Sequence, residues 1–372
     1  MKVCLVIIAK NESHVIGRAI ESAKNFVDFV YVCDTGSTKE ELDGMEQAIQ
    51  EAWPNPYVLD HAAWQNFAWN RTHALFQAEQ AYPDADYLFM MDADDYIMQM
   101  TYLDGLKTED GPPGYRVQVR SDSIEYPRVQ IFKAGIGWHF RGVVHEYPEC
   151  DGVTTELPFY PLTVCSTREG DRNRDPEKYL KDAELLETAL ALGEDEDLVP
   201  RYTFYLAQSY EAAGDYTKAV EWYDKRIANQ GGYTEERYVS MIRLARIALR
   251  QPMKQAQVVF IVDLCRAAQS ICPWRKEAAH IAVCLLNDAK RHTEAIKLYR
   301  DNPVFDNVPQ GLFIEPEIYR WQYLEQAGIA AHYAGLHRQS VQLLVRALNG
   351  FSDMPLDAKR ILSNAQFSLD KL

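Results

Sequence analysis

KVCLVIIAKNESHVIGRAIESAKNFVDFVYVCDTGST, residues 2–38, carries the pattern that decides the fold of the first half of the chain. KVCLVIIA (2–9) is an unbroken apolar run of strand length, and SHVIGRAIESAKN (13–25) places its apolar residues at helical spacing. FVYVC (29–33) is apolar again and runs into the turn-rich DTGST. Strand, helix and strand in this order imply parallel strands joined by a crossover. The pattern continues through helical KEELDGMEQAIQEA (39–52), strand YVLD (57–60), helical NFAWNRTHALFQAEQA (66–81) and strand YLFMM (87–91). Strands without a polar face must be covered on both sides, so a mostly parallel sheet between helical layers is expected. From Gly114 the period changes. YRVQVRS (115–121) and RVQIFK (128–133) alternate polar with apolar around the turn-like DSIEYP, which reads as an antiparallel addition to the sheet.

Beyond about Asp175 the strand signals stop, and the chain repeats itself. AGDYTKAVEWY (213–223) is echoed by AKRHTEAIKLY (289–299) and AGLHRQSVQLL (334–344), with QPMKQAQVV (251–259) a weaker copy. Ala219, Ala256, Ala295 and Ser340 are the aligned small residues, spaced by 37, 39 and 45. A small residue where two helices cross, followed by large apolar ones, suits stacked helix pairs. FYLAQSYEAAGDYTKAVEWY resembles a tetratricopeptide unit, so an all-α helical-repeat domain is expected over 175–372, after an α/β domain at 1–174. An irregular helical bundle is the alternative.

The composition, 47% hydrophobic and 25% charged, is that of a globular protein. A net charge of −15 argues against nonspecific grip on nucleic acid or anionic membrane. No apolar run approaches the roughly 18 residues a membrane helix needs. The N-terminal apolar run stops at Lys10-Asn11-Glu12 without a small-residue cleavage site, so it reads as a strand rather than a signal segment. Seven cysteines without framework or zinc spacing fit a reduced, cytoplasmic protein.

The chemistry collects at strand ends, where parallel sheets bind their ligands. The first strand ends in Lys10-Asn11-Glu12 and the second in Asp34-Thr35-Gly36-Ser37-Thr38. The fourth ends in Asp92-Ala93-Asp94-Asp95. Three carboxylates within four residues repel one another unless a cation or hydrogen bonds relieve them. Asp92 and Asp94 share a side of an extended segment, with Ala93 pointing away.

The set IAKNESHVIGRAIES, VYVCDTGSTKE, WQNFAWNR, YLFMMDADD and GWHFRGVVHE resembles family 2 glycosyltransferases of the GT-A fold. The run DRNRDPEKYLKDAELLE, with the helical unit after it, is similar to the subset with C-terminal tetratricopeptide-like repeats. The resemblance spans residues 3 to about 230 and implies a Rossmann-like GT-A domain with a mixed, mostly parallel sheet. It implies a metal-dependent, inverting transfer of a sugar from a nucleotide donor, with UDP expected. Asp92 and Asp94 would hold Mn²⁺ or Mg²⁺ against the diphosphate, with Asp92 also near the ribose. Asp34, Asn11 and Glu12 would face the base and ribose, Gly36 and Ser37 would turn the backbone beside them, and Arg71 would be directed at the donor. Each has a plainer reading: an Asx turn for Asp34, a helix N-terminal cluster for Asn11 and Glu12, a surface cation for Arg71.

An inverting transfer to oxygen calls for a general base. Glu146 is the first choice and His145 the second. His145 is alternatively a third metal ligand, and His139 competes for either task. Trp64 and Trp138 are sugar-stacking or core residues. Where relatives often carry a histidine, this chain has Cys165-Ser166-Thr167, and STREGDRNRDP (166–176) is a lid or a linker. The acceptor stays open among polypeptide, glycan, small molecule and modified nucleic acid. The repeats would recruit it, bind a partner or form a homodimer. Two other readings remain: a non-catalytic nucleotide-binding scaffold, and a nucleotidyl- or phosphoryl-transfer enzyme, the latter lacking a GxxxxGK phosphate loop.

Overall fold

The computed structural model describes residues 1–100, 111–121, 124–154, 156–193, 195–252, 254–304, 307–351 and 355–372. Residues 122 and 123 of the expected DSIEYP turn lie outside them. The chain forms two compact units, Met1–Asp195 and Glu196–Leu372.

In the first unit the strands are β1 (Val3–Ala9), β2 (Phe29–Asp34), β3 (Val58–His61), β4 (Tyr87–Met90), β5 (Tyr96–Met100), β6 (Gly114–Ser121), β7 (Ile124–Lys133), β8 (His139–Arg141), β9 (Tyr147–Glu149) and β10 (Phe159–Cys165). The helices are α1 (Ile16–Ala23), α2 (Lys39–Ala52), α3 (Phe67–Ala81), α4 (Asp171–Arg174) and α5 (Lys178–Leu192). One sheet has the order β3-β2-β1-β4-β7-β6-β10-β5, and β8 pairs with β9 separately. β3, β2, β1 and β4 run parallel, as does β10 beside β6, whereas β7 and β5 run antiparallel to their neighbours. This is the mixed, mostly parallel GT-A-like arrangement expected.

The unbroken apolar run of β1 follows from burial on both faces. Leu5 and Ile7 pack with Ile16, Ile20, Met45 and Ile49 of α1 and α2. Cys4 and Val6 pack on the other face with Ala74, Leu75 and Ala78 of α3. β1 lies between β2 and β4, so the crossovers on its two sides diverge and leave a crevice at its carboxyl end. The acidic turn after β4 opens beside that crevice.

Two local expectations are corrected. DSIEYP is mostly strand, since β7 begins at Ile124 and Pro127 pairs with Gln118. β4 reaches β7 only at Ile131–Lys133, so Pro127 sits on a free edge where its missing N–H leaves no ladder gap. β5, directly after the acidic turn, was not anticipated; it closes the sheet edge on β10.

The second unit opens with a 3₁₀ turn and continues through α6 (Val199–Ala212), α7 (Tyr216–Ala228), α8 (Thr234–Leu249), α9 (Gln255–Ile271), α10 (Glu277–Asp288), α11 (His292–Asp301), α12 (Tyr323–Tyr333), α13 (His337–Leu348) and α14 (Leu356–Leu369). Each helix packs on the next, as in stacked tetratricopeptide-like pairs. Ala219, Ala295 and Ser340 are fully buried, each at the fourth position of its helix. Ser340 tolerates burial because its hydroxyl donates to the Gly328 carbonyl at 2.8 Å. A side chain at Gly328 would meet Leu344 at 2.6 Å, which explains the glycine inside α12. Ala256 is exposed, which corrects its place in the repeat. The fourth residue of α9 is Val258, buried, so that pair meets through a larger side chain.

The stretch between α11 and α12, residues 302–317, is far longer than a helix-pair turn and accounts for the longest repeat spacing. Of its described residues, Leu312 and Glu315 have backbone groups met by buried charge. Arg275, with no exposure, pairs with Glu235 at 3.1 Å and Glu277 at 2.9 Å and donates to the Leu312 carbonyl at 2.6 Å. Glu235 accepts the Leu312 N–H at 2.5 Å. Tyr238 and Tyr319 both donate to Glu277.

Candidate functional site

The carboxyl ends of β1 and β4, with the segment after β10, line a cleft of about 470 Å³. That volume is in the usual range for small-ligand sites. Lys10, Glu12 and Thr35 line it from the β1 and β2 ends, Asp92 and Asp94 from the acidic turn, and Trp64, Phe67 and Arg71 from around α3. Ser166, Thr167, the run from Gly170 to Asn173 and the first turns of α5, including Asp182, close the other side. Six acidic and five basic residues line it, so the net charge of the chain does not carry over to the cleft.

Arg71 organises one wall. Its Nη2 donates to Asp92 at 2.5 Å and its Nε to Glu146 at 2.7 Å. Arg128 lies 3.6 Å from Asp92 and 3.4 Å from Asp95. Burial alone would push the Asp92 carboxyl up, but Arg71 and Arg128 outweigh it and hold it near 2. Asp95 has no such surplus of cations. Burial, reinforced by the charge of Asp92, pushes it up to about 8, and its Oδ1 has no partner. Arginines thus relieve the acidic knot at Asp92, while burial and its acidic neighbours raise the Asp95 carboxyl.

Among the described residues Asp94, Glu12 and Asp171 line the cleft with no ion pair to a cation, and Arg174 acts on Glu12 only as a nearby charge. Burial raises the Asp94 carboxyl, opposed by the Gly170 N–H and reinforced by Asp92. Burial likewise raises Glu12, to about 7, against one hydrogen bond from the Asp171 N–H. Glu12 Oε2 has no partner. Oxygen donors with this unmet demand fit a hard divalent cation that completes its shell with phosphate and water. Among the described residues no three His, Cys, Asp or Glu side chains gather as a metal-ligating cluster.

The segment after β10 ties itself to these same acids. Gly170 N–H donates to Asp94 Oδ2 at 3.0 Å and Asp171 N–H to Glu12 Oε1 at 3.1 Å. Thr167 and Arg18 donate to the Asp94 carbonyl, and Arg18 pairs with Glu169. Arg172 is held by Asp182 and lies 4.4 Å over the Phe67 ring.

Asn11 has a left-handed backbone, φ 56°, and stitches three segments. Its N–H donates to Ser37 Oγ, its side chain accepts from Thr38 N–H, and its amide donates to Asp171. Asp34 is buried, and its oxygens accept the Gly36 and Ser37 N–H groups, with His61 at 2.9 Å. Its carboxylate is thus taken up by its own turn, in which Gly36 supplies φ 112°. Thr38 caps α2.

Glu146 sits behind Arg71 and outside the cleft lining, with one oxygen committed. His145 is exposed, takes φ 55° and does not line the cleft. His139, in β8, contacts the Gly137 carbonyl and Glu149. Trp138 is buried against Phe132, its ring N–H donating to the Pro113 carbonyl, so it is a core residue. Trp64, 37% exposed and edge-on to Phe67, is the tryptophan that lines the cleft. The sequence marks Lys10 only as part of the β1 end, and no sequence signal gives Phe67, Arg172 or Asp182 a place in the cleft. The Arg172–Asp182 pair is ten residues apart, and no helical spacing signals it.

Among solved structures the chain is similar to MamA AMB-1, at 14% identity and a TM-score of 0.32 over 46% of this chain and 88% of that one. It is similar to MamA 41-end from Desulfovibrio magneticus RS-1 at 14% identity and 0.32, over 51% and 97%. It is also similar to YrrB, described as a TPR protein with an unusual peptide-binding site, at 14% and 0.32 over 53% and 92%. Likenesses this slight say nothing about what this chain binds. No curated protein matches the chain. The model of glycosyl transferase family 2 matches residues 4–148, which contain β1 through β8 and the acidic turn. The N-terminal unit therefore carries a glycosyltransferase domain of family 2.

Proposed function

We propose that the chain is a metal-dependent glycosyltransferase that moves a sugar from a UDP donor to an acceptor with inversion. The observation that carries this reading is the gathering of Glu12, Asp92 and Asp94 in one cleft at the point where the sheet order diverges. Asp94, with Asp92 beside it, would hold Mn²⁺ or Mg²⁺, which when bound neutralises charge on the diphosphate leaving group. Asn11, Glu12 and the Asp34–Gly36–Ser37 turn form the edge assigned to the uridine. Arg71 fixes the ionised form of Asp92 on the donor side. Glu146, whose Oε1 takes Arg71 and whose other oxygen has no hydrogen bond among the described residues, is assigned as base and His145 as its alternate. The absence of an apolar helix long enough to span a membrane among the described residues, with the cysteine pattern, supports a cytoplasmic assignment. The helical unit is assigned to acceptor or partner recruitment, or to a homodimer contact.

A scaffold that binds a nucleotide without turnover is the second reading. It is favoured by the grip of Arg71 on Glu146, since a carboxylate engaged by a guanidinium is a weaker base. UDP-glucose and UDP-N-acetylglucosamine, each with Mn²⁺, distinguish the two, with water as acceptor. The expected result is slow release of UDP and, with methanol added as a trapping acceptor, of a methyl β-glycoside, whose anomeric configuration is fixed and is read by proton NMR. Binding of the donors with no release of UDP over days would replace the enzyme reading with the scaffold. Release of the methyl α-glycoside would refute inversion.

A further inference from the structure

We propose that Arg172 is the residue that reads the diphosphate of the donor, presented by the segment that closes the cleft; this rests on the nucleotide-donor reading above. A diphosphate needs fixed cationic donors, and most cations of the cleft are already committed. Arg71 gives Nε to Glu146 and Nη2 to Asp92. Lys178 donates to Asn173 at 2.9 Å and Lys181 to Asp175 at 2.7 Å. Lys10 is exposed and has no hydrogen-bond partner holding it in one place.

Arg172 differs from all of these. Only its Nη2 is used, bonded to both oxygens of Asp182 at 2.5 and 2.6 Å. Asp182 itself is 6% exposed, so the anchor is buried while the guanidinium, with its side chain 45% exposed, faces the cleft. The ring of Phe67 supports the guanidinium at 4.4 Å. Among the described residues Nε and Nη1 donate to no protein acceptor. A planar cation fixed by a carboxylate and an aromatic face, with two nitrogens left over, is prepared for bidentate contact with phosphate oxygens. The freedom it would lose on binding is already lost, which favours affinity.

Its location adds the second argument. Gly170 and Asp171, the two residues before it, are tied by their N–H groups to Asp94 and Glu12. Asp171 also accepts from Asn11. The guanidinium is thereby referenced to the same carboxylates that face the cleft, and one short segment joins the cation-seeking side of the site to its anion-seeking side. A surface linker has no need of such ties.

The test compares uridine and UDP binding by calorimetry, at one salt concentration with Mn²⁺, for the unmodified chain, Arg172→Ala and Arg172→Gln. The glutamine retains a donor for Asp182, which guards against loss of the fold through an unpaired buried carboxylate. Both variants are expected to weaken UDP by about ten- to a hundredfold, the range of a charged hydrogen bond, and to leave uridine unchanged. UDP bound as tightly by either variant as by the unmodified chain would overturn the proposal. Equal loss of uridine and UDP in Arg172→Gln would also overturn it, by reducing Arg172 to a structural role. An unmodified chain that binds neither ligand would instead remove the donor reading itself.

Discussion

Arg275→Ala is expected to destabilise the helical unit by about 3–5 kcal/mol, the effect of removing one partner from a buried ionic group. The side chain has no exposure and holds Glu235, Glu277 and the Leu312 carbonyl together. Its loss strands two buried carboxylates and removes the donor to the Leu312 carbonyl. Urea unfolding followed by circular dichroism reads the effect as a lower midpoint for the helical unit. The triple variant Arg275→Met/Glu235→Gln/Glu277→Gln should recover much of it, because the penalty lies in unpaired charge rather than in lost attraction. A midpoint unchanged in Arg275→Ala would mean that water reaches this network.

Arg71→Ala should have the corresponding effect on the first unit, together with a functional one. Its guanidinium is 12% exposed and bridges Asp92 and Glu146, side chains 28% and 13% exposed. Arg128 still reaches Asp92, at 3.6 Å, but nothing replaces Arg71 at Glu146. A loss of about 3 kcal/mol is expected. Turnover of a UDP-sugar is expected to fall by about a hundredfold, as when a preorganised charged donor is removed from a catalytic site. Arg71→Lys, a single point charge in place of a fork, should keep one of the two contacts and fall between. Full turnover in Arg71→Ala would show that the bridge lies outside the chemistry.

The parallel core was legible because its strands are buried on both faces, and an unbroken run such as KVCLVIIA has little else to become. β5 was not legible, because YIMQM follows the acidic turn directly and carries no turn signal of its own. β10 contains Pro161, which weakens any strand reading. In the helical unit, small residues marked the crossings at Ala219, Ala295 and Ser340. At α9 the same rule selected an exposed alanine, because the contact there is made by Val258. In the site, residue types at strand ends pointed to the cleft, but sequence does not reveal what each carboxylate is bonded to. Asp34 is absorbed by its own turn and Asp92 by two arginines, while Glu12 Oε2 and Asp95 Oδ1 stay buried without a partner among the described residues. Arg172 was hidden in a charge-rich run that reads equally well as a surface linker. Only its distant partner, Asp182, and the Phe67 face give it a fixed direction.

The acidic turn is proposed to seat a nucleotide diphosphate through a divalent cation. Calorimetric titration with UDP, with and without Mn²⁺, beside the Asp92→Asn/Asp94→Asn variant, tests it most directly. Binding should require Mn²⁺ and disappear in the variant. UDP bound equally well without metal, or equally well by the variant, would contradict it.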